Sequence, residues 1–150
     1  MSLRRSKNAD PRIICEEHLT KDGETLYEYG FYCYDGSPCL VEINEYKAGL
    51  QRVNMFDLEL NLLENKYGSP PLQEPVARTA QYKRMLEYAA VLTKGFHFVR
   101  GDLLYVNDRI YFGEMTFYPL AGICKLDPES FDYFLGSFSQ IPLRNRNVSV

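Results

Sequence analysis

The chain has no tryptophan, only two histidines and no pair of cysteines at C-x-x-C spacing. A structural zinc site needs closely paired ligands, so the spacing of Cys15, Cys33, Cys39 and Cys124 disfavours zinc. The start of the chain lacks the apolar core of a signal peptide, and no apolar run approaches the roughly 20 residues of a membrane span. These absences predict a cytoplasmic protein with reduced thiols.

Charge of one sign is not in excess either, because 17 Lys and Arg stand against 20 Asp and Glu, for a net charge of −3. This balance gives no electrostatic case for binding nucleic acid or an anionic membrane surface. The chain is rich in Tyr (12) and Phe (9), which suit a pleated, half-buried sheet. At 150 residues it has the size of one ordinary domain.

The pattern of apolar residues predicts one domain over 11–140, between an unstructured N-terminus at 1–10 and a polar tail at 141–150. Its first half reads as a short buried strand, "RIICEEHL", then a hairpin. The hairpin consists of "LYEYGFYCY" and "CLVEINEY" joined at the turn signal "DGSP". Residues 47–78 are mixed: "FDLELNLLENKYG" could form a short helix or a strand, and the three prolines of "SPPLQEPVA" break regular structure.

The second half begins with the clearest helix, over 79–95, with Thr79 as the expected N-cap and Gly95 as the C-terminal left-handed residue. A second hairpin follows, with strands at 97–105 and 109–117. A last short helix, capped by Asp127, closes the domain. A hairpin, a helix and a second hairpin predict an α+β fold in which helices pack on an antiparallel sheet.

The second hairpin, "FVRGDLLYVNDRIYFGEMTFYP", carries charges within apolar strands. Residues two apart on a strand share a face, so Arg100 points with Asp102, and Glu114 points with Thr116. Two acids and a hydroxyl from paired strands form an oxygen-only site, the ligand set that Mg²⁺ prefers, and Arg100 could hold a phosphate or carboxylate. A cross-strand ion pair on a solvated sheet face explains the same charges and stays open.

The motif "FVRGDLLYVNDRIYFGEMTFYP", with "PRIICEEHL" and "LYEYGFYCYDGSPCLVEI", resembles the TupA-like ATP-grasp family over roughly residues 11 to 136. That family is linked to teichuronopeptide and other cell-surface polysaccharide synthesis. The resemblance implies the C-terminal lobe of an ATP-grasp fold that binds ATP and Mg²⁺. It also implies a carboxylate–amine ligase that acts through an acyl-phosphate, with carboxylate and amine substrates that remain unknown.

Carried over to this sequence, the resemblance assigns roles to single residues. Asp102, Glu114 and Thr116 would be metal ligands, and Arg100 would be catalytic, in contact with the phosphates or the acyl-phosphate. The backbone around Glu16, Glu17 and Leu19 would bind the adenine edge. Glu28 would bind the ribose hydroxyls.

The chain also departs from the family pattern. Gly30 stands where the family usually has Lys, and Leu120 stands where the related motif favours Gly. The family also implies a Lys-bearing lobe before "PRIICEEHL". A truncated enzyme completed by a separate lobe or by a homo-oligomer is therefore the expectation. A non-catalytic nucleotide-binding or partner-binding module, or a glycosyltransferase-associated protein of a polysaccharide cluster, is the alternative.

Overall fold

A computed structural model describes residues 12–19, 24–65, 69–72, 76 and 78–139. The predicted unstructured ends, 1–10 and 141–150, lie outside the described residues. The elements, in chain order, are β1 (Leu26–Tyr34), β2 (Ser37–Lys47), β3 (Leu50–Phe56), β4 (Leu62–Leu63), α1 (Tyr82–Thr93), β5 (Phe98–Val106), β6 (Arg109–Thr116) and α2 (Ser130–Ser137).

The strands form one sheet in the order β4-β3-β2-β1-β5-β6, and every neighbouring pair is antiparallel. Two-residue turns with positive φ connect the hairpins, as the right-handed twist of paired strands requires. The turn between β5 and β6 consists of Asn107 (φ 51°) and Asp108 (φ 60°). Both predicted hairpins and the α+β class are therefore confirmed.

One face of the sheet carries the main apolar core. Alternate residues of β1 and β2, including Tyr29, Phe31 and Ile43, pack against the buried face of α1. Met85 and Ala89 of α1 are fully buried there, as the 3- and 4-residue spacing of the predicted stripe requires.

The opposite face of the sheet is divided between two environments. Near one end, Phe131 of α2 packs on Tyr32, Leu40 and Met55 and forms a second apolar cluster. The rest of this face carries polar residues and is open. Neither of the two described helices combines the length and the apolarity that a membrane crossing needs.

Three local predictions were wrong. Residues 12–19 form no strand and 12–18 are exposed, because no described segment pairs with their backbone. Helix α1 has Gln81 at its N-cap and no side-chain cap, since Thr79 offers its backbone carbonyl to Tyr82 instead. Helix α2 likewise starts after Glu129, two residues beyond Asp127.

Other details refine the prediction. Gly95 has φ +88° directly after the C-cap of α1, as expected. The mixed region contains β3, which was not predicted. Within "FDLELNLLENKYG", the described residues after Phe56 form only the two-residue strand β4. Leu92 of the predicted stripe is 37% exposed, and Thr93 takes the buried position instead.

Candidate functional site

The predicted site residues of the second hairpin meet on the open face of the sheet. Arg100 pairs with Thr116 across β5 and β6, and the ladder then shifts between Gly101 and Leu103. Because of this irregularity, Gly113 and Glu114 together lie opposite Asp102, as in a β-bulge. The hydroxyl of Thr116 lies 2.8 Å from Oε1 of Glu114 and 3.2 Å from Oδ2 of Asp102. Three side chains whose oxygens could ligate a metal ion therefore meet.

Arg100 is held by two buried carboxylates. Its Nε donates to Oδ1 of Asp102 at 2.7 Å, and its Nη2 donates to Oδ2 of the same residue at 2.9 Å. Its Nη1 donates to Oε1 of Glu42 on β2 at 3.0 Å. Asp102 is 1% exposed and Glu42 is 3% exposed. The ion pair, which was the alternative interpretation of these charges, therefore exists. It is buried, and it extends across β1 to Glu42, which was not predicted.

Gly30 makes room for this ion pair. In the sheet it lies between Glu42 of β2 and Asp102 of β5. A Cβ at this position would lie 2.9 Å from Oδ1 of Asp102 and 3.0 Å from Cδ of Arg100. The guanidinium therefore crosses the sheet over the one residue of β1 that has no side chain. Gly30, which stands where the family usually has Lys, is therefore the residue over which the guanidinium of Arg100 lies.

A chain of hydrogen bonds continues from Arg100 toward β3. Nδ2 of Asn44 donates to Oε1 of Glu42 at 3.0 Å, and Nε2 of Gln51 donates to Oδ1 of Asn44 at 2.9 Å. The hydroxyl of Tyr32 donates to the other oxygen of Glu42 at 2.9 Å. Polar contacts therefore extend from β3 to β6 and hold the carboxylates and the guanidinium in fixed positions.

Among the described residues at this site, negative charge exceeds positive charge. Glu28, Glu42, Asp102 and Glu114 lie around the guanidinium of Arg100. Burial raises the pKa of Asp102, although Arg100 and Thr116 act in the opposite direction. Burial also raises the pKa of Glu28, with the charge of Asp102 as the next cause, while a hydrogen bond from Tyr46 at 3.1 Å lowers it. Burial alone would lower the pKa of Arg100, but its carboxylate partners raise it.

These residues surround a pocket of about 330 Å³ on the sheet face, which we call the polar pocket. Its wall includes Glu28, Glu42, Asn44, Arg100, Glu114 and Thr116. Asp102 lies beneath it, under Arg100. Oxygen donors with excess negative charge fit a hard divalent cation. Among the described residues, however, no three His, Cys, Asp or Glu side chains are gathered as a ready-made metal cluster.

The predicted adenine-binding residues do not join this site through any described contact. Glu16 and Glu17 are exposed, Leu19 is partly buried, and none of them makes a hydrogen bond to another described residue. Glu28 does lie at the polar pocket. The roles given to all of these residues stay predictions.

Sequence reasoning missed Glu42, Asn44 and Gln51. A signal was present, since "CLVEINEY" places Glu42, Asn44 and Tyr46 at i, i+2 and i+4 within an otherwise apolar strand. That spacing puts them on one face, by the argument already used for Arg100 and Asp102.

The class of the protein follows from a comparison with family models: the chain has an ATP-grasp fold, and its antiparallel sheet with two helices is the α+β arrangement of one ATP-grasp lobe. The matching model is described as TupA-like ATPgrasp and covers residues 2–139, most of the 150-residue chain. The chain therefore belongs to the TupA-like ATP-grasp family. Comparisons with curated proteins and with solved structures found no match.

Proposed function

We propose that the polar pocket binds the polyphosphate of Mg²⁺–ATP and that the chain serves an ATP-grasp carboxylate–amine ligase. The observation that supports this most directly is that Glu114 and Thr116 of the pocket wall meet Asp102, directly beneath the pocket, beside Arg100. Bound Mg²⁺ would supply charge neutralisation for phosphoryl transfer. A cation would also favour the ionised forms of Asp102 and Glu28, whose pKa values are raised by burial and by neighbouring carboxylates.

The side chains of the site differ in how accessible they are to a bound cation or nucleotide. Glu114 is exposed and has one oxygen free of Thr116, so it is the ligand most accessible to a cation. Asp102 is buried, and both of its oxygens already accept hydrogen bonds from Arg100, so it would ligate a cation only by sharing an oxygen with Arg100, and Oδ2 lies nearest Thr116. Glu28 lies in the pocket wall and would accept hydrogen bonds from the ribose hydroxyls, the role that the family resemblance implies.

The chemistry proposed is a two-step ligation. An oxygen of the carboxylate substrate attacks the γ-phosphorus, and the bond from phosphorus to the β,γ-bridging oxygen breaks. The products of this step are an acyl-phosphate and ADP. The amine nitrogen then attacks the acyl carbon and loses a proton as inorganic phosphate departs. Arg100 keeps two N–H bonds beyond those that its carboxylates accept, which could stabilise charge on the transferred group. We place the reaction in the cytoplasm, where ATP is supplied, in cell-surface polysaccharide or peptide-polymer synthesis.

Isothermal titration with Mg²⁺–ATP tests the proposal. We expect Glu114→Gln to weaken binding by about 10–100-fold, because an amide cannot replace the charge of a metal-binding carboxylate. Glu87→Gln on the exposed side of α1 removes the same charge from the other face of the sheet and should leave binding unchanged. Absence of binding in the unmodified chain, or equal affinity of the Glu114 and Glu87 variants, would refute it.

Nucleotide binding without turnover is the second candidate. It is favoured by the state of Arg100, whose Nε, Nη1 and Nη2 all donate to carboxylates, and by the lack of a lysine among the described residues of the pocket wall. Release of ADP in the presence of varied carboxylates and amines separates the candidates. Binding with no ADP release, also after addition of a separately expressed Lys-bearing lobe, would support a binding module.

A further inference from the structure

A second pocket, of about 360 Å³, opens on the same face of the sheet between α2 and the segment that follows β6. We call it the aromatic pocket, and its wall includes Tyr32, Tyr34, Phe98, Leu126, Asp132 and Leu135. The ring centroids of Tyr34 and Phe98 are 5.0 Å apart, and those of Tyr32 and Phe98 are 6.0 Å apart. Three adjacent rings therefore form one side of the cavity.

The aromatic pocket is charged at one point. Among the described residues that form its wall, only Asp132 carries a formal charge, and it lies in the first turn of α2. Burial raises the pKa of Tyr34 to about 12, and the neighbouring Cys39 and Asp132 add to the effect. Aromatic faces carry negative quadrupole charge and attract cations, particularly ammonium groups. A carboxylate beside three rings is thus complementary to an amine cation with an apolar body.

The aromatic pocket is joined to the polar pocket in two ways. The ring of Tyr32 forms part of its wall, while the hydroxyl of Tyr32 donates to Glu42, which lies at the polar pocket. The segment Pro119–Gly122 contributes Leu120 to the polar pocket and Pro119 to the aromatic pocket.

This shared segment has an unusual backbone. Leu120 (φ 46°) and Ala121 (φ 58°) both lie in the left-handed region, which residues with side chains rarely adopt. Such conformations are concentrated at functional sites and ligand clamps. The strained segment therefore lies where molecules bound in the two pockets would meet.

We propose that the aromatic pocket binds a primary amine carried on an aromatic or other apolar body. Its role as the acceptor of ligation rests on the proposed function, whereas binding itself does not. In that role the bound ammonium first loses one proton to water. The neutral nitrogen then forms a C–N bond with the acyl carbon, the C–O bond to phosphate breaks, and the departing phosphate takes the second proton from nitrogen.

The probe for the test is 2-phenylethylamine, and the matched neutral probe is 2-phenylethanol. Both are titrated into the full chain by NMR at low ionic strength, without nucleotide. We expect the amine to bind about tenfold more tightly than the alcohol, as a cation–π contact with a neighbouring carboxylate predicts. Asp132→Asn should reduce this preference for the amine, because only the contacts with the rings remain, and Glu87→Gln should retain it in full.

Three results would overturn the inference: equal affinity for amine and alcohol, an unchanged preference in Asp132→Asn, or self-association of the chain that closes the aromatic pocket. The comparison of the two probes needs no variant, so it holds even if Asp132→Asn fails to fold. The Glu114→Gln variant keeps the two proposals apart. If that variant still binds the amine while the wild type binds no Mg²⁺–ATP, only the function proposed for the polar pocket is refuted.

Discussion

Replacing Arg100 by Met should destabilise the fold strongly, because it leaves two buried carboxylates without their cation. The side chains of Arg100, Asp102 and Glu42 are 13%, 1% and 4% exposed, so water cannot replace the lost contacts. Removing one partner of a buried ion pair costs about 3–5 kcal/mol. Single domains are stable by only about 5–15 kcal/mol, so the variant should lose a large part of its free energy of unfolding.

The loss should also depend on pH. Asp102 and Glu28 already have raised pKa values, and Arg100 lowers both of them, so Arg100→Met raises them further. A raised carboxyl pKa lets the folded state hold a proton that the unfolded chain releases. The stabilisation that comes from this extra proton is complete below the ordinary carboxyl pKa and is lost as pH rises through the raised pKa of the folded state. The variant should therefore be less destabilised near pH 4 than near pH 7.

Urea unfolding at both pH values measures these effects. Arg109→Met is the matched control, because Arg109 is exposed at the start of β6, and its stability should stay within about 0.5 kcal/mol of wild type. A loss below about 1 kcal/mol for Arg100→Met near pH 7, or an equal loss at both pH values, would refute the reasoning.

Two further predictions concern the backbone. Gly30→Ala should lower the free energy of unfolding by about 1–3 kcal/mol, since the new Cβ would lie 2.9 Å from a buried carboxylate oxygen. Thermal unfolding measures this loss, and Gly136→Ala in α2, where the new Cβ would meet nothing within 4 Å beyond its chain neighbours and the backbone of its own helix, should be neutral or slightly stabilising. Asn107→Ala should cost about 1–2 kcal/mol because its φ of 51° disfavours Ala, whereas Asn107→Gly should not. Chemical denaturation of these two variants decides the point, and equal stability would contradict the turn geometry.

Sequence patterns predicted those features that depend on local spacing. The face shared by Arg100 and Asp102 follows from strand alternation. The approach of Glu114 does not follow from alternation and the turn at Asn107 alone, because a regular ladder would place Gly113 opposite Asp102. The shift between Gly101 and Leu103 brings Glu114 to the face of Asp102. The helix Tyr82–Thr93 follows from its apolar stripe, although its start was predicted at Thr79. The shared face and the helix need no knowledge of distant residues.

The features that were missed depend on tertiary contacts. Glu42 reaches Arg100 only because Gly30 leaves the space between them empty, and no local pattern reports the order of strands. Strand β3 is short, and its place next to β2 decides its structure more than its composition does. The segment 12–19 has strand-forming residues, but a strand needs a paired neighbour to exist.

The alternation along β1 has a consequence for how this sequence tolerates change. Tyr29 and Phe31 enter the core under α1, while Glu28 and Gly30 face the polar pocket. Deleting one residue within β1 would exchange the two sets, placing a carboxylate in the apolar core and an aromatic ring over the acids. Length changes in family members should therefore fall in the turns outside the strands, while single substitutions on one face leave the other intact.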